Sequence, residues 1–216
     1  MRRIARVYSG DAPAEPTTLS GIAPYSVYLH RAAHAARTAG PTALDYWRSV
    51  FADGVPAPLD LPTDRARGAT RSHRGATVHR EIDLDLSQRL RTLARTLNTS
   101  LYTLLLAAFQ TLLSRLSGQE DVVVGIPVAG QANLEVETVG CCANMLPLRA
   151  ATAPDKPFAA LLAEQQRALL DAFDHQAASL ADIVNALGMP RDRSRLPLVE
   201  VIFNFSSYFA HLGLPG

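Results

Sequence analysis

An α/β fold, a layered sheet with covering helices, is what the sequence predicts. Two observations carry that class. Leu101, Leu104, Leu105, Ala108, Leu112 and Leu116 recur at helical spacing, with Leu106, Phe109 and Leu113 widening the apolar face. After a Ser-Gly stop, Val122 to Val124 form an unbroken β-branched run, the pattern of a strand covered on both faces. A helix feeding an interior strand belongs to a layered core. Along the rest of the chain, amphipathic helices alternate with strand-like stretches.

Each element has a local reason. Residues 1–23 lead in, loop-rich after Ser9. Pro24 opens a helix that Gly40-Pro41 breaks, and a second helix carries Leu44, Trp47, Val50 and Phe51. Residues 53–75 read as a long irregular connection within one unit, with Pro56, Pro58 and Pro62. Residues 76–84 read as a strand, and Ser87 caps a helix over 88–97. In the helix over 101–116, Thr99 or Ser100 caps the start and Gly118 ends it, with Thr103, Gln110, Thr111 and Ser114 on the polar face. Strand 121–127 follows. A strand at 142–149 contains Pro147, which places it at an edge or a bulge. A helix over 157–173, a capped helix from Ser179 to Leu187 and a strand over 198–205 complete the chain. The expected sheet has at least four strands: 76–84, 121–127, 142–149 and 198–205.

Composition bounds the function. The chain has 216 residues and a formal net charge of +1, so charge makes no case for nucleic acid or an anionic membrane. Lys156 is its only lysine, which we read as genome composition. Cys141 and Cys142 are adjacent, build no disulfide framework and have no metal-ligand spacing around them. A reduced, cytoplasmic setting is the default. MRRIARVYSG has no apolar run behind its basic start, and residues 101–116 are too short to span a bilayer.

Local motifs point to little chemistry. His79 and Asp83 form an HxxxD, but four residues of strand span about 13 Å, too far to share a proton. Gly125 to Gly130 has the frame of a phosphate loop, yet Gln131 stands where lysine is required. Cys141-Cys142 reads as a buried pair rather than a nucleophile, and His175 as a helix-terminus imidazole. In RDRSRLPL, residues 191–198, Arg191 or Arg195 can pair with Asp192 or with a carboxylate elsewhere and fix the loop before Pro197. Pairing with Asp192 is the expectation; phosphate recognition on a partner is the alternative.

Several stretches together resemble the C-terminal half of a nonribosomal peptide synthetase condensation domain. These are YWRSVF (46–51), LPTDRAR (61–67), SGQEDVVVGIPVAGQ (117–131), VGCCANMLPLR (139–149), HQAASLADIV (175–184) and RDRSRLPLVEVIFNF (191–205). They occur in the family's order from about residue 20 to residue 207. Departures occur at Pro24, where the family has aspartate, and at Tyr28, where it has tryptophan. Cys142 and Ala143 stand before Asn144 in place of Phe-Val, and Ala177 and Ser179 replace the Asp and Pro that follow His175-Gln176. The resemblance implies one lobe of a two-lobed enzyme, each lobe like chloramphenicol acetyltransferase, spanning 1–216. It marks Gly140, Asn144, Leu148, Arg149, His175 and Gln176 as tunnel or motif residues. Arg191, Asp192, Arg195 and Pro197 are marked as structural or docking residues.

The family's catalytic HHxxxDG has no match here, so the resemblance implies no catalytic residue in this chain, an absent N-terminal lobe and a truncated closing strand and helix. It implies no metal and no bound cofactor, only phosphopantetheine thioesters presented by carrier proteins. The implied partners are the N-terminal condensation lobe, carrier proteins and an adjacent adenylation domain. The competing readings are a non-catalytic docking module for a carrier protein or enzyme, and a free-standing acyltransferase using His79 or His175.

Overall fold

The computed structural model describes residues 22–72, 74–130, 137–190 and 192–205. Within them the order is β1 (Ile22–Ala23), α1 (Tyr25–Thr38), α2 (Gly40–Val50), α3 (Leu84–Thr96), α4 (Leu101–Ser117), β2 (Asp121–Ala129), β3 (Glu137–Thr138), β4 (Ala143–Ala151), α5 (Phe158–Asp174) and α6 (Leu180–Ala186). Both ends of α4 are written locally. The Ser100 hydroxyl accepts from the Thr103 amide at 3.0 Å, and Gly118 takes the left-handed position at φ +70°. Ser179 and Asp182 form a reciprocal capping box at the start of α6.

β2 and β4 pair antiparallel from Asp121↔Ala151 to Ala129↔Ala143. This register places Val122, Val124, Ile126 and Val128 on one face with Leu146, Leu148 and Ala150, all buried. On the opposite face Gly125 and Pro147 are buried and Val123, Pro127, Met145 and Arg149 are half-buried, so that face is covered at its centre and only partly elsewhere. Opposite Pro147 stands Gly125, whose amide donates to Val201 O and whose carbonyl accepts from Phe203 N. Those bonds point away from β4, so the missing Pro147 donor falls on the outer edge of the pair, where proline is tolerated.

Three expectations need correction. Residues 76–84 do not form a strand. Arg74–Asp83 runs without turn or bend and makes no ladder among the described residues, and α3 begins at Leu84. The cap is Asp83, not Ser87: its carboxylate accepts from Leu86 N at 2.7 Å, which starts the helix earlier than expected. Residues 198–205 contribute only a bridge, Ile202 to Gly125, so the expected sheet of four or more strands is two two-stranded pairs among the described residues. The local reason is a tight turn in which Val199 N donates to Pro197 O at 2.7 Å and Leu198 sits at φ +63°.

A further correction concerns the face of α4. Thr103, Ala107, Gln110 and Ser114 point inward, whereas Leu112 and Leu116 are each 52% exposed. The stripe that the sequence marks as polar is thus largely the buried one, so periodicity alone does not choose the face. The side with small residues does, because it lets Leu162 of α5 approach Leu104 and Ala107. The main core gathers Trp47 and Phe51, Leu106 and Leu113, the inward faces of β2 and β4, Leu169 and Ile183. No helix among the described residues is long and apolar enough to cross a membrane.

Candidate functional site

Asn144, on β4, organises the polar end of the molecule. Its Nδ2 donates to Gln176 O at 3.1 Å and to Ala178 O at 2.9 Å, while its Oδ1 accepts from Met145 N at 2.8 Å. One side chain thereby fixes the turn from α5 into α6 against the strand. The same turn is held from α2. Trp47 Nε1 donates to His175 O at 3.1 Å, and the His175 ring stacks on Tyr46 with centroids 4.1 Å apart. Burial pushes the Tyr46 phenol up to about 12. His175 Nδ1 lies 2.7 Å from Asp171 O. A carbonyl only accepts, so Nδ1 carries a proton. Gln176 donates to Phe173 O at 2.8 Å, closing the turn locally.

Arg149 is the electrostatic hub. Its guanidinium forks onto Asp121, with Nη2 2.6 Å from Oδ2 and Nε 3.0 Å from Oδ1, and its Nη1 donates to Asp53 Oδ1 at 2.6 Å and Val50 O at 2.7 Å. It also lies over the Phe51 ring, 5.6 Å from the centroid. The hydrogen bonds to Asp121, ahead of the opposing cost of burial, hold the guanidinium above its ordinary pKa. Arg149 lines an open depression of about 460 Å³ with Asp53, Glu120, Asp121 and Glu164. Leu148 is a core residue, 2% exposed. Gly140 lies against the Tyr25 ring, where a Cβ would collide with ring carbons. Tyr25 donates to Cys141 O and Tyr28 to Cys142 O, which ties α1 to the strand that carries Asn144. Burial, then Cys142, raises the Tyr28 phenol. Cys141 is exposed and Cys142 buried, both as free thiols.

The arginine loop is pinned, but not by the expected pair. Asp192 accepts from the amide and hydroxyl of Ser194, each at 2.7 Å, and no arginine pairs with it among the described residues. Arg195 instead reaches Glu200 at 2.8 and 2.9 Å and donates to Leu59 O at 3.3 Å. The hydrogen bonds to Glu200 raise the Arg195 pKa, and those from Ser194 lower that of Asp192. Glu200 wins because it is shielded, with 15% of its side chain exposed, whereas Asp192 faces water. Pro197 is exposed and accepts from Val199 N in the tight turn. Arg191 lies outside the described residues.

The condensation domain profile matches residues 1–213. The chain belongs to the condensation domain family. It is 40% identical over 164 residues to surfactin synthase subunit 2 of Bacillus subtilis (strain 168), a match covering 76% of this chain and 4% of that protein. It is also 40% identical over 163 residues to tyrocidine synthase 3 of Brevibacillus parabrevis, covering 75% and 2% respectively. The fold superposes on a four-domain nonribosomal peptide synthetase bound to AMP and glycine with a TM-score of 0.72 at 25% identity, covering 76% of this chain and 12% of that one. It superposes on the first condensation domain of the CDA synthetase with a TM-score of 0.67 at 26% identity, covering 89% and 45%. The chain thus spans a few per cent of these curated relatives and under half of the CDA synthetase domain.

In this condensation-family chain, Gly140, Asn144, His175 and Gln176 fall at one end of β4, while Arg149 sits at its other end. Arg195 and Pro197 lie on a separate loop. No histidine among the described residues has a carboxylate hydrogen-bonded to its ring. His30, His34 and His79 are exposed, and Asp83 is occupied as a helix cap. No group of three metal-ligating side chains occurs among the described residues. Sequence reading missed Tyr46, Asp53, Asp121 and Glu200 as partners. The available signals were the Tyr46-Trp47 pair, and Glu200 five residues beyond Arg195.

Proposed function

We propose that this chain is the C-terminal lobe of a condensation domain, spanning 1–216, whose parent joins a donor acyl thioester to an acceptor amine in the cytoplasm. Both substrates would arrive as phosphopantetheine thioesters on carrier proteins, beside an adenylation domain. The amine attacks the thioester carbonyl, the C–S bond breaks and the amine loses a proton. A group within about 3 Å must take that proton. None of the described residues fills that role, so the HHxxxDG of an N-terminal lobe outside this chain supplies it. This lobe supplies a wall of the substrate tunnel and a carrier-docking surface. The observation that supports the reading most is Asn144, which joins the Gly140–Arg149 motif to the His175-Gln176 motif through two hydrogen bonds.

The test is an assay with loaded donor and acceptor carrier proteins, this chain and the N-terminal lobe added in trans, with products detected by mass spectrometry. The expected result is amide product on mixing and none from either lobe alone. Product from this chain alone, lost in His79→Ala or His175→Ala, would replace the reading with a free-standing acyltransferase. Carrier binding without product from the mixed lobes would replace it with a docking module.

A further inference from the structure

We propose that Tyr25 and Tyr28 are positioning residues: from α1 they hold shut the end of the β2–β4 ladder that carries Asn144. The two strands part at that end. Ala129↔Ala143 is the last ladder pair among the described residues, and Gly130 N donates to Cys142 O at 2.8 Å one step beyond it. Bonded and unbonded pairs alternate along an antiparallel ladder, so the next bonded pair inward is Val128↔Asn144. Asn144 therefore sits one bonded rung from a ladder end, where strands fray first. From that place its side chain has to stay on Gln176 O and Ala178 O.

α1 closes the end with two phenols. Tyr28 donates to Cys142 O at 3.1 Å, the same carbonyl that accepts from Gly130 N, and Tyr25 donates to the neighbouring Cys141 O. A carbonyl oxygen has two lone pairs, so Cys142 O serves both donors. The tyrosines are i and i+3 on α1 and share a face, and their rings stack with centroids 5.5 Å apart, so each restricts the other. Glycines leave room for both. A Cβ at Gly140 would collide with the Tyr25 ring, and one at Gly130 would meet Tyr28 Oη and Cys142 O. β1 adds a further tie from the same segment: it pairs parallel with β3, and Thr138 Oγ1 donates to Ala23 O at 3.0 Å. The consequence for chemistry rests on the condensation reading, in which Asn144 joins the two motifs.

The test is residue-resolved amide exchange on this chain, followed by the mixed-lobe assay. Tyr25→Phe and Tyr28→Phe remove only the hydroxyls. Each should speed exchange at the Gly130, Val128 and Asn144 amides about two- to tenfold, the worth of one hydrogen bond, with Val124 and Leu148 unchanged. The Asn144 side-chain amide protons should lose protection with them. Gly140→Ala keeps both hydroxyls but displaces the Tyr25 ring, and should speed the same amides. In the assay the double Phe variant should lower kcat severalfold per folded lobe, with KM for the loaded carriers unchanged. Exchange that rises equally at Val124 and Leu148, or at none of these amides, would overturn the proposal. So would an unchanged Asn144 side chain, or a kcat per folded lobe equal to that of the wild type. Wild-type lobes that make no product would overturn the condensation reading instead, and the exchange result would then decide the positioning role.

Discussion

Arg149 joins three parts of the chain through one side chain that is 17% exposed. Truncation leaves Asp121 and Val50 O without their donor beside the core. Losing one member of a buried charge pair costs about 3–5 kcal/mol, and the solvent exposure of its carboxylate partners puts Arg149→Ala near the low end, about 3 kcal/mol. Urea titration reads this directly, and a loss below about 1 kcal/mol would mean that water replaces the clamp. The pH dependence has a definite sign. The Arg149 hydrogen bond holds the Asp53 carboxyl below its ordinary value of 3.8. A carboxyl depressed in the folded state stabilises it above the unfolded pKa, and that stabilisation fades as pH falls through the folded pKa. The stability difference between wild type and Asp53→Asn should therefore be constant near neutrality and shrink in acid below the ordinary carboxylate range. A difference unchanged down to that acid range would exclude the linkage. Asn144→Ala should cost about 1–3 kcal/mol, since the carbonyls of Gln176 and Ala178 lose their shared donor. Asp192→Ala should leave stability close to unchanged, because Glu200 and not Asp192 holds the arginine.

At the scale of elements, legibility follows how local the determining forces are. α4 was legible in extent because Ser100 and Gly118 lie beside its ends, but not in orientation, because contact with α5 buries the side that carries Thr103, Ala107, Gln110 and Ser114 rather than the side that carries Leu112 and Leu116. The edge position of Pro147 was legible because a missing donor must point away from a ladder. The strand pattern at 76–84 was read correctly as pattern but not as structure, since a strand needs a partner that local sequence does not reveal. The Asn144 cluster was legible only through family resemblance, because its partners lie more than 30 positions away in the chain. The cap assignment is open to a paired test. Asp83→Ala should cost about 1 kcal/mol and Ser87→Ala very little; the reverse order would place the start of α3 at Ser87. At Gly125 an added Cβ would meet Val199 Cγ1 and Met145 Sδ. Gly125→Ala should therefore cost about 1–3 kcal/mol by overpacking, read as a lowered urea midpoint.

Over the whole molecule, burial divides into a large core and a small one, and the division predicts the order in which the chain opens. The large core holds β2 and β4 against α2, α4, α5 and α6 through Trp47, Leu106, Ile126, Leu146, Leu169 and Ile183. The small one holds α3 to α4 and α5 through Ala94, with Leu90 partly buried, against Leu104, Ala107 and Leu162. Ala94 is the only buried residue of α3, whereas Leu86, Leu93 and Leu97 stand exposed. Detaching α3 from the rest therefore exposes little additional apolar surface, while separating β2 from β4 breaks both a nine-residue ladder and the main core. Amide exchange proceeds through such openings, each with its own free energy. Hydrogen–deuterium exchange at concentrations where the chain is monomeric should show residues 76–83 exchanging first and α3 next. β2, β4 and α5 should exchange last, near the rate set by global unfolding. Ala94→Gly should speed exchange across α3 while leaving β2 and β4 unchanged, because it weakens only the small core and the helix that carries it. Equal acceleration in β2 would show that the two cores open as one unit.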